Sequence, residues 1–314
     1  MKHLYKFMVI ALLGILLAAC STESPGSSSE DTESGDSGEG NGDISIGMSI
    51  STLNNPFFVS LRDGAESAAE EAGYDITTVD AQDDAAKQVN DIEDLLQQDI
   101  DVLLVNPTDS AAVVSAIESA NSEGVPVVTV DRTADGGDVV THIASDNVAG
   151  GEMAAEFIVE EVGEEADVVE LEGIPGASAT RERGKGFHNI VDEKEGLEIV
   201  ASQAANFNRS EGLTVMENII QGTDSIDVVF AHNDEMALGA VEALEAQSML
   251  DSVTVVGFDA IEDARTAVSE GRMDATVAQQ PDLIGEEAIS AVTSIMNDEE
   301  LEEFIPVELQ LVTE

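Results

Sequence analysis

Short runs rich in apolar and β-branched residues recur along the chain at 44–50, 76–79, 102–105, 127–130, 168–172, 198–201, 227–231, 253–258, 275–278 and 307–312. Between them lie stretches at 57–72, 85–98, 110–122, 147–162, 179–193, 209–220, 234–247, 261–270 and 282–297, in which apolar residues return every three or four positions. The first set predicts strands buried on both faces, the second amphipathic helices, and their alternation predicts parallel sheets covered by helices on each side. Roughly 270 residues of this pattern exceed what one doubly wound sheet usually needs, so the expected class is α/β with two lobes.

Polar residues gather where the predicted strands end. Asn106 follows Val102-Leu103-Leu104-Val105, Asp131 and Arg132 follow Val127-Val128-Thr129-Val130, Asn233 follows a run ending in His232, and Asp259 follows Val255-Val256-Gly257-Phe258. Ligands of open α/β sheets bind at the carboxyl ends of the strands, so amide, carboxylate and guanidinium groups at equivalent ends predict a binding edge. Asp109, Asp146 and Asp234 fit better as helix caps or turn residues. Asn54-Asn55-Pro56-Phe57-Phe58 sets two rings beside carboxamides at the opening of a predicted helix. Such a mix suits a sugar, whose C–H faces pack on rings and whose hydroxyls need paired donors and acceptors. Asn55 as an N-cap with Pro56 at N1 and both phenylalanines in the core accounts for the same residues.

Composition narrows the functional classes. The chain has 65 acidic against 12 basic residues, a formal charge of −53, which disfavours nucleic acid as a partner. Self-repulsion on this scale is screened within about 3 Å at 1 M salt, so the expectation is a halophilic protein. Residues 1–19 read as a signal peptide, with Lys2 and Lys6 before an apolar run from Phe7 to Leu17. Cys20, the only cysteine, ends a Leu17-Ala18-Ala19-Cys20 sequence resembling the lipobox of secreted lipoproteins. With one cysteine there is no disulfide framework or thiolate metal site. Residues 21–42 contain only Ser, Thr, Glu, Pro, Gly, Asp and Asn, so 20–42 is expected to be a lipid-anchored, disordered tether. Localisation at the outer face of the cytoplasmic membrane follows.

No GxSxG, HExxH, Walker A or strand-linked GxGxxG motif is present, and the three histidines after residue 20 are scattered. Asp131 and Asp259 could form an acid/base pair, but the Arg and amide neighbours expected around them should keep both ionised. The expectation is a non-enzyme without cofactor or metal. A sugar-responsive repressor would need a DNA-binding helix-turn-helix where this chain has an acidic tether.

Several runs carry a specific resemblance: 51–61 (Ser51-Thr52-Leu53-Asn54-Asn55-Pro56-Phe57-Phe58-Val59-Ser60-Leu61), 106–110, 139–147, Arg181-Glu182-Arg183-Gly184 and 233–240. From about Ile44 onward the chain resembles the ribose-binding members of the type I periplasmic sugar-binding protein family of bacterial ABC transporters. The resemblance implies two Rossmann-like lobes joined by a three-segment hinge, with residues 43–145 plus 280–307 in the first and 146–279 plus 308–314 in the second. It implies D-ribose as ligand, a membrane permease as partner and a monomer. The implied ligand-binding residues are Asn55, Phe57, Phe58, Asn106, Asp131, Arg132, Arg183, Phe207, Asn233, Asp259 and Gln279, none of them substituted. Departures lie beside them: His232 for a frequent Gln, Asn206 for a frequent Asp, and Asp259-Ala260-Ile261 for an Asp-Gly-Thr type of turn. Allose, galactose, xylose, a furanose signal or a role as chemotaxis sensor with a chemoreceptor partner stay open as alternatives.

Overall fold

A computed structural model describes residues 44–163 and 165–313. The expected signal peptide at 1–19, Cys20 and the expected tether at 20–42 lie outside the described residues.

The first sheet holds β1 (Ser45–Ile50), β2 (Asp75–Asp80), β3 (Val102–Val105), β4 (Val127–Val130), β5 (Thr141–Ser145) and β11 (Phe304–Val307), in the order β11-β5-β4-β3-β1-β2. The second holds β6 (Glu165–Glu172), β7 (Gly196–Ala204), β8 (Val228–Ala231), β9 (Thr254–Asp259), β10 (Ala275–Ala278) and β12 (Gln310–Val312), in the order β12-β10-β9-β8-β6-β7. Every pairing is parallel except β12 on β10. The two sheets thus share one strand order and differ in the direction of the last edge strand, and in each the order reverses beside the first strand of its set, the point where α/β sheets form a ligand crevice.

The central strands β3, β4, β8 and β10 are buried along their whole length, as their apolar and β-branched runs predict. Helices α1 (Pro56–Ala72), α2 (Ala85–Leu96), α3 (Val114–Glu123) and α9 (Pro281–Met296) belong with the first sheet. Helices α4 (Asn147–Val162), α5 (Ser178–Val191), α6 (Arg209–Gly222), α7 (Asp234–Ala246) and α8 (Glu262–Ser269) belong with the second. The chain crosses between sheets after β5, before α9 and between β11 and β12.

Two elements differ from the sequence expectation. Thr141–Ser145 forms β5 although its first residues are polar, because Thr129 Oγ1 and His142 Nδ1 pair at 2.9 Å and the imidazole stacks on Phe304. Burial lowers the His142 pKa to about 4, so the ring stays neutral at ordinary pH. The expected strand at 307–312 is two strands in different sheets, parted at Glu308 and Leu309.

Glycines set how closely helices approach. A Cβ on Gly151 of α4 would lie 2.2 Å from the Arg183 carbonyl oxygen, and one on Gly186 of α5 would lie 2.0 Å from that of Val148. The α6/α7 pair repeats this at Gly212 and Gly239, and α1/α9 at Gly64 and Gly285. Backbone cannot yield as a side-chain tip can, so Gly186→Ala is expected to destabilise the fold by about 1–3 kcal/mol or more. Thermal unfolding at fixed high salt checks this; an unchanged midpoint would contradict the packing.

Candidate functional site

All eleven residues singled out from the sequence are buried, and nine of them converge on one cavity between the lobes: Asn55, Phe57, Phe58, Asp131, Arg132, Arg183, Phe207, Asn233 and Asp259. The cavity is tight, about 10 Å³ on the measure by which a single water needs ~10–15 Å³, so side chains of both lobes stand close around it. Asn106 and Gln279 stand one step back. Asn106 Nδ2 donates to Asp131 Oδ2 at 3.3 Å, and Gln279 Nε2 donates to Asp259 Oδ1 at 2.8 Å. Gln279 also lines, with Phe57 and Asp259, a wider cleft beside the cavity.

Local structure aims these groups. Asn55 caps α1 by accepting from Phe57 N–H at 2.9 Å, with Pro56 at N1, and lines the cavity as well, so cap and cavity position coexist. The Phe57 and Phe58 rings meet edge to face at 5.2 Å. Asn233 caps α7 through Oδ1, which accepts from Met236 N–H at 3.0 Å, leaving its amide nitrogen directed elsewhere. Asp131, Phe207 and Asp259 all have positive φ (62°, 58° and 107°), which bends the chain sharply after the strand and turns each side chain into the cleft. Phe207 finds room because residue 173 is glycine; a Cβ there would strike the ring at 2.0 Å.

Two arginines form the charged frame. The Arg132 guanidinium lies between the Phe58 and Phe207 rings, 5.0 and 5.1 Å from their centroids, and donates to the Pro107 carbonyl at 3.2 Å. Arg183 rests on the Phe258 ring at 3.9 Å. Its Nε donates to Asn147 Oδ1 at 2.8 Å and its Nη1 to the His232 carbonyl at 2.6 Å, with Asp259 Oδ1 at 3.4 Å. Such cation–π and amide contacts fix a planar donor fork in place.

Burial shifts the Asp131 and Asp259 carboxyl groups toward their neutral forms. Arg183 and Gln279 favour the Asp259 carboxylate, yet desolvation outweighs them and raises its pKa to about 7; Asp131 is raised in the same way against Arg132, Arg183 and Asn106. The expectation that these neighbours would hold both carboxylates in the ordinary range is therefore corrected.

Several buried polar atoms of this site have no hydrogen-bond partner among the described residues: Asp131 Oδ1, Arg132 Nε, Asn233 Nδ2 and Gln279 Oε1. Arg132 Nε lies 3.6 Å from Asp131 Oδ2, beyond hydrogen-bond range. Two acceptors and two donors, buried and unpaired at or just behind a small cavity faced by rings, fit a compact polyhydroxylated ligand.

Other outcomes depart from the sequence reading. Asp234 is no cap: fully buried, it accepts from Ile261 N–H at 2.9 Å and Thr276 Oγ1 at 2.6 Å and so fastens the turn carrying Asp259. The His232 ring meets Glu170 Oε1 at 2.9 Å, while only its backbone carbonyl accepts from Arg183. Ala260 adopts a positive φ of 53° where a glycine would be unstrained. Asn147, Gly173 and Ala179, which also lines the cavity, were not singled out. The polar position at the start of α4 was the one available signal for Asn147; nothing in the sequence marks the other two.

The family model for the periplasmic binding protein domain matches residues 46–300. The ribose import binding protein of Bacillus subtilis (strain 168) is 52% identical over 307 residues, covering 98% of this chain and 98% of that protein. The ribose import binding protein of Escherichia coli (strain K12) is 46% identical over 267 residues, 85% of this chain and 90% of the relative. Among solved structures, the Caulobacter myo-inositol binding protein bound to myo-inositol aligns with a TM-score of 0.83 at 35% identity, covering 87% of this chain and 94% of the other. By the extent of these matches and the shared two-lobed architecture, the chain belongs to the periplasmic binding protein family.

Proposed function

We propose that this chain is the extracytoplasmic substrate-binding protein of an ABC transporter, binding D-ribose between its lobes and delivering it unchanged to a membrane permease. The observation that carries the reading is the set of unpaired buried groups Asp131 Oδ1, Arg132 Nε and Asn233 Nδ2 around a cavity faced by Phe57, Phe58 and Phe207, with Gln279 Oε1 just behind it. Hydroxyls both donate and accept, so one pentose serves carboxylate, amide and guanidinium at once, while its C–H faces meet the rings. Ribose is preferred over other sugars because the relatives named as ribose import binding proteins are 46% and 52% identical.

The eleven buried residues are the proposed contacts, Asn106 and Gln279 acting in part by holding the two carboxylates. The crossings near 145/146, 279/280 and 307/308 serve as a hinge between lobes 43–145 plus 280–307 and 146–279 plus 308–314. Hinge closure around a ligand is an established general behaviour of periplasmic binding proteins, applied here to this chain. Residues 1–19 act as a signal peptide and Cys20 as a diacylated anchor, two chains being enough for stable attachment. Residues 20–42 tether a monomeric, halophilic body to the outer face of the cytoplasmic membrane, where the permease partner lies and a chemoreceptor is a second candidate partner.

Calorimetric titration with a pentose and hexose panel at high salt tests the reading: ribose should bind best, and tighter binding of another sugar would overturn the ligand assignment. The same titration reports on Asp259. Its folded pKa near 7 exceeds the ordinary aspartate value, so its contribution to stability is greatest below about pH 4 and declines as pH rises to about 7. Sugar hydroxyls donating to the carboxylate favour the ionised form, so binding at pH 6–7 should release protons and affinity should rise through this range. Titrations in buffers of different ionisation enthalpy measure the release; no difference between buffers would count against carboxylate–hydroxyl contact.

A further inference from the structure

Beside the cavity the lobes touch along a seam whose residues are not among those lining it. Ser110 N–H donates to the Gly176 carbonyl at 3.0 Å, Ser178 N–H donates to Ser110 Oγ at 3.2 Å, and Thr133 N–H donates to Ser178 Oγ at 2.9 Å. Ser110 and Thr133 follow β3 and β4 of the first lobe, whereas Gly176 and Ser178 lie between β6 and α5 or open α5 of the second. Ser110 and Ser178 are buried there, at 0% and 1% exposure. At the rim, Arg181 Nη2 donates to Asp135 Oδ1 across the seam at 2.7 Å, and its Nη1 donates to the Gly176 carbonyl at 3.0 Å. That ion pair is half-exposed and contributes little once salt screens it, so the weight rests on the buried serine contacts.

Steric fit adds an independent observation. A Cβ at residue 176 would lie 2.0 Å from Asp109 Oδ2 and 2.7 Å from its Cγ, across the lobe boundary. The Asp109 side chain is not free to swing away, because Oδ1 accepts from Ala111 N–H at 2.9 Å and Ala112 N–H at 2.8 Å. In closed lobes the position opposite Asp109 therefore admits no side chain at all.

We infer that Gly176 determines sugar affinity without touching sugar: its bare Cα lets the seam close against Asp109, and the seam brings the two half-sites to binding distance. The inference rests on the sugar-binding reading. Apparent affinity falls with the fraction of molecules able to reach the closed state, so a residue that obstructs only closure weakens binding in proportion.

The test compares the wild-type protein with Gly176→Ala and with Gly176→Ala/Asp109→Ala, by ribose titration and small-angle scattering at high salt. Gly176→Ala should weaken ribose binding about tenfold or more and need correspondingly more sugar to reach the compact radius, while its unliganded melting midpoint stays at the wild-type value. The double variant, with the obstruction removed, should bind at least about tenfold more tightly than Gly176→Ala alone. If the wild-type protein binds no sugar, the sugar-binding reading itself fails. If it binds ribose and Gly176→Ala binds equally well, the seam inference fails alone. Weakened binding with a lowered unliganded midpoint and no recovery in the double variant would mark Gly176 as a folding residue and overturn the inference as well.

Discussion

Replacing Asp131 by alanine removes most of the sugar binding, raising Kd by roughly 30- to 1000-fold, or ~2–4 kcal/mol. Asp131 Oδ1 is a buried acceptor without a protein partner, and Oδ2 faces Asn106 at 3.3 Å and Arg132 at 3.6 Å. Alanine deletes a charged acceptor for hydroxyls and leaves the buried Arg132 guanidinium without its adjacent carboxylate. Because residue 131 sits at φ 62°, where asparagine is tolerated better than alanine, Asp131→Asn separates charge from backbone strain. It should bind more weakly than wild type and more tightly than Asp131→Ala. Titration at high salt decides it, and unchanged affinity in Asp131→Ala would remove Asp131 from the site.

The second large effect is on folding. Lowering salt from about 2 M to 0.05 M lengthens the screening distance from roughly 2 Å to over 10 Å, so carboxylates repel across much of the surface. Few cations oppose them, since Arg132 and Arg183 are buried at the cavity and Arg209 already holds Glu235 and Asp263. Removing residues 1–19 leaves 10 basic residues against 65 acidic ones, formally −55. The melting midpoint should fall by about 10 °C or more over this range, at ~2–4 °C per kcal/mol for a body of this size. Saturating ribose should restore part of the loss by binding only the native state. A midpoint independent of salt would refute the electrostatic account.

Much of this was legible in the chain itself. Runs rich in apolar and β-branched residues located the buried parallel strands, and the polar residues directly after them, from Asn106 to Asp259, led to the cavity because strand ends are where such sheets bind. Readings that failed were decided by tertiary contacts. Thr141 and His142 look like loop residues until Thr129 and Phe304 lie beside them. Val307–Val312 reads as one strand because the pattern carries no sign that the chain changes sheets at Glu308. Asp131 and Asp259 were expected to stay ordinary acids, since the sequence names their partners but not the loss of water that outweighs them. Gly176 had no signal at all, its role being defined by an aspartate 67 positions earlier on the other lobe.

The order in which the strands complete the two sheets also constrains how the molecule is made. β11 closes the edge of the first sheet and α9 packs on α1, more than two hundred positions away in the chain, while β12 closes the edge of the second. Neither core can be finished before the last forty or so residues are available, so early collapse of the N-terminal portion leaves the α9-facing side of α1 uncovered. Contacts this remote in sequence form slowly, because long loops must close before they are rewarded. A nascent polypeptide of this design stays open and threadable until synthesis is nearly over, and a truncation ahead of Phe304 unfinishes both lobes with a single cut.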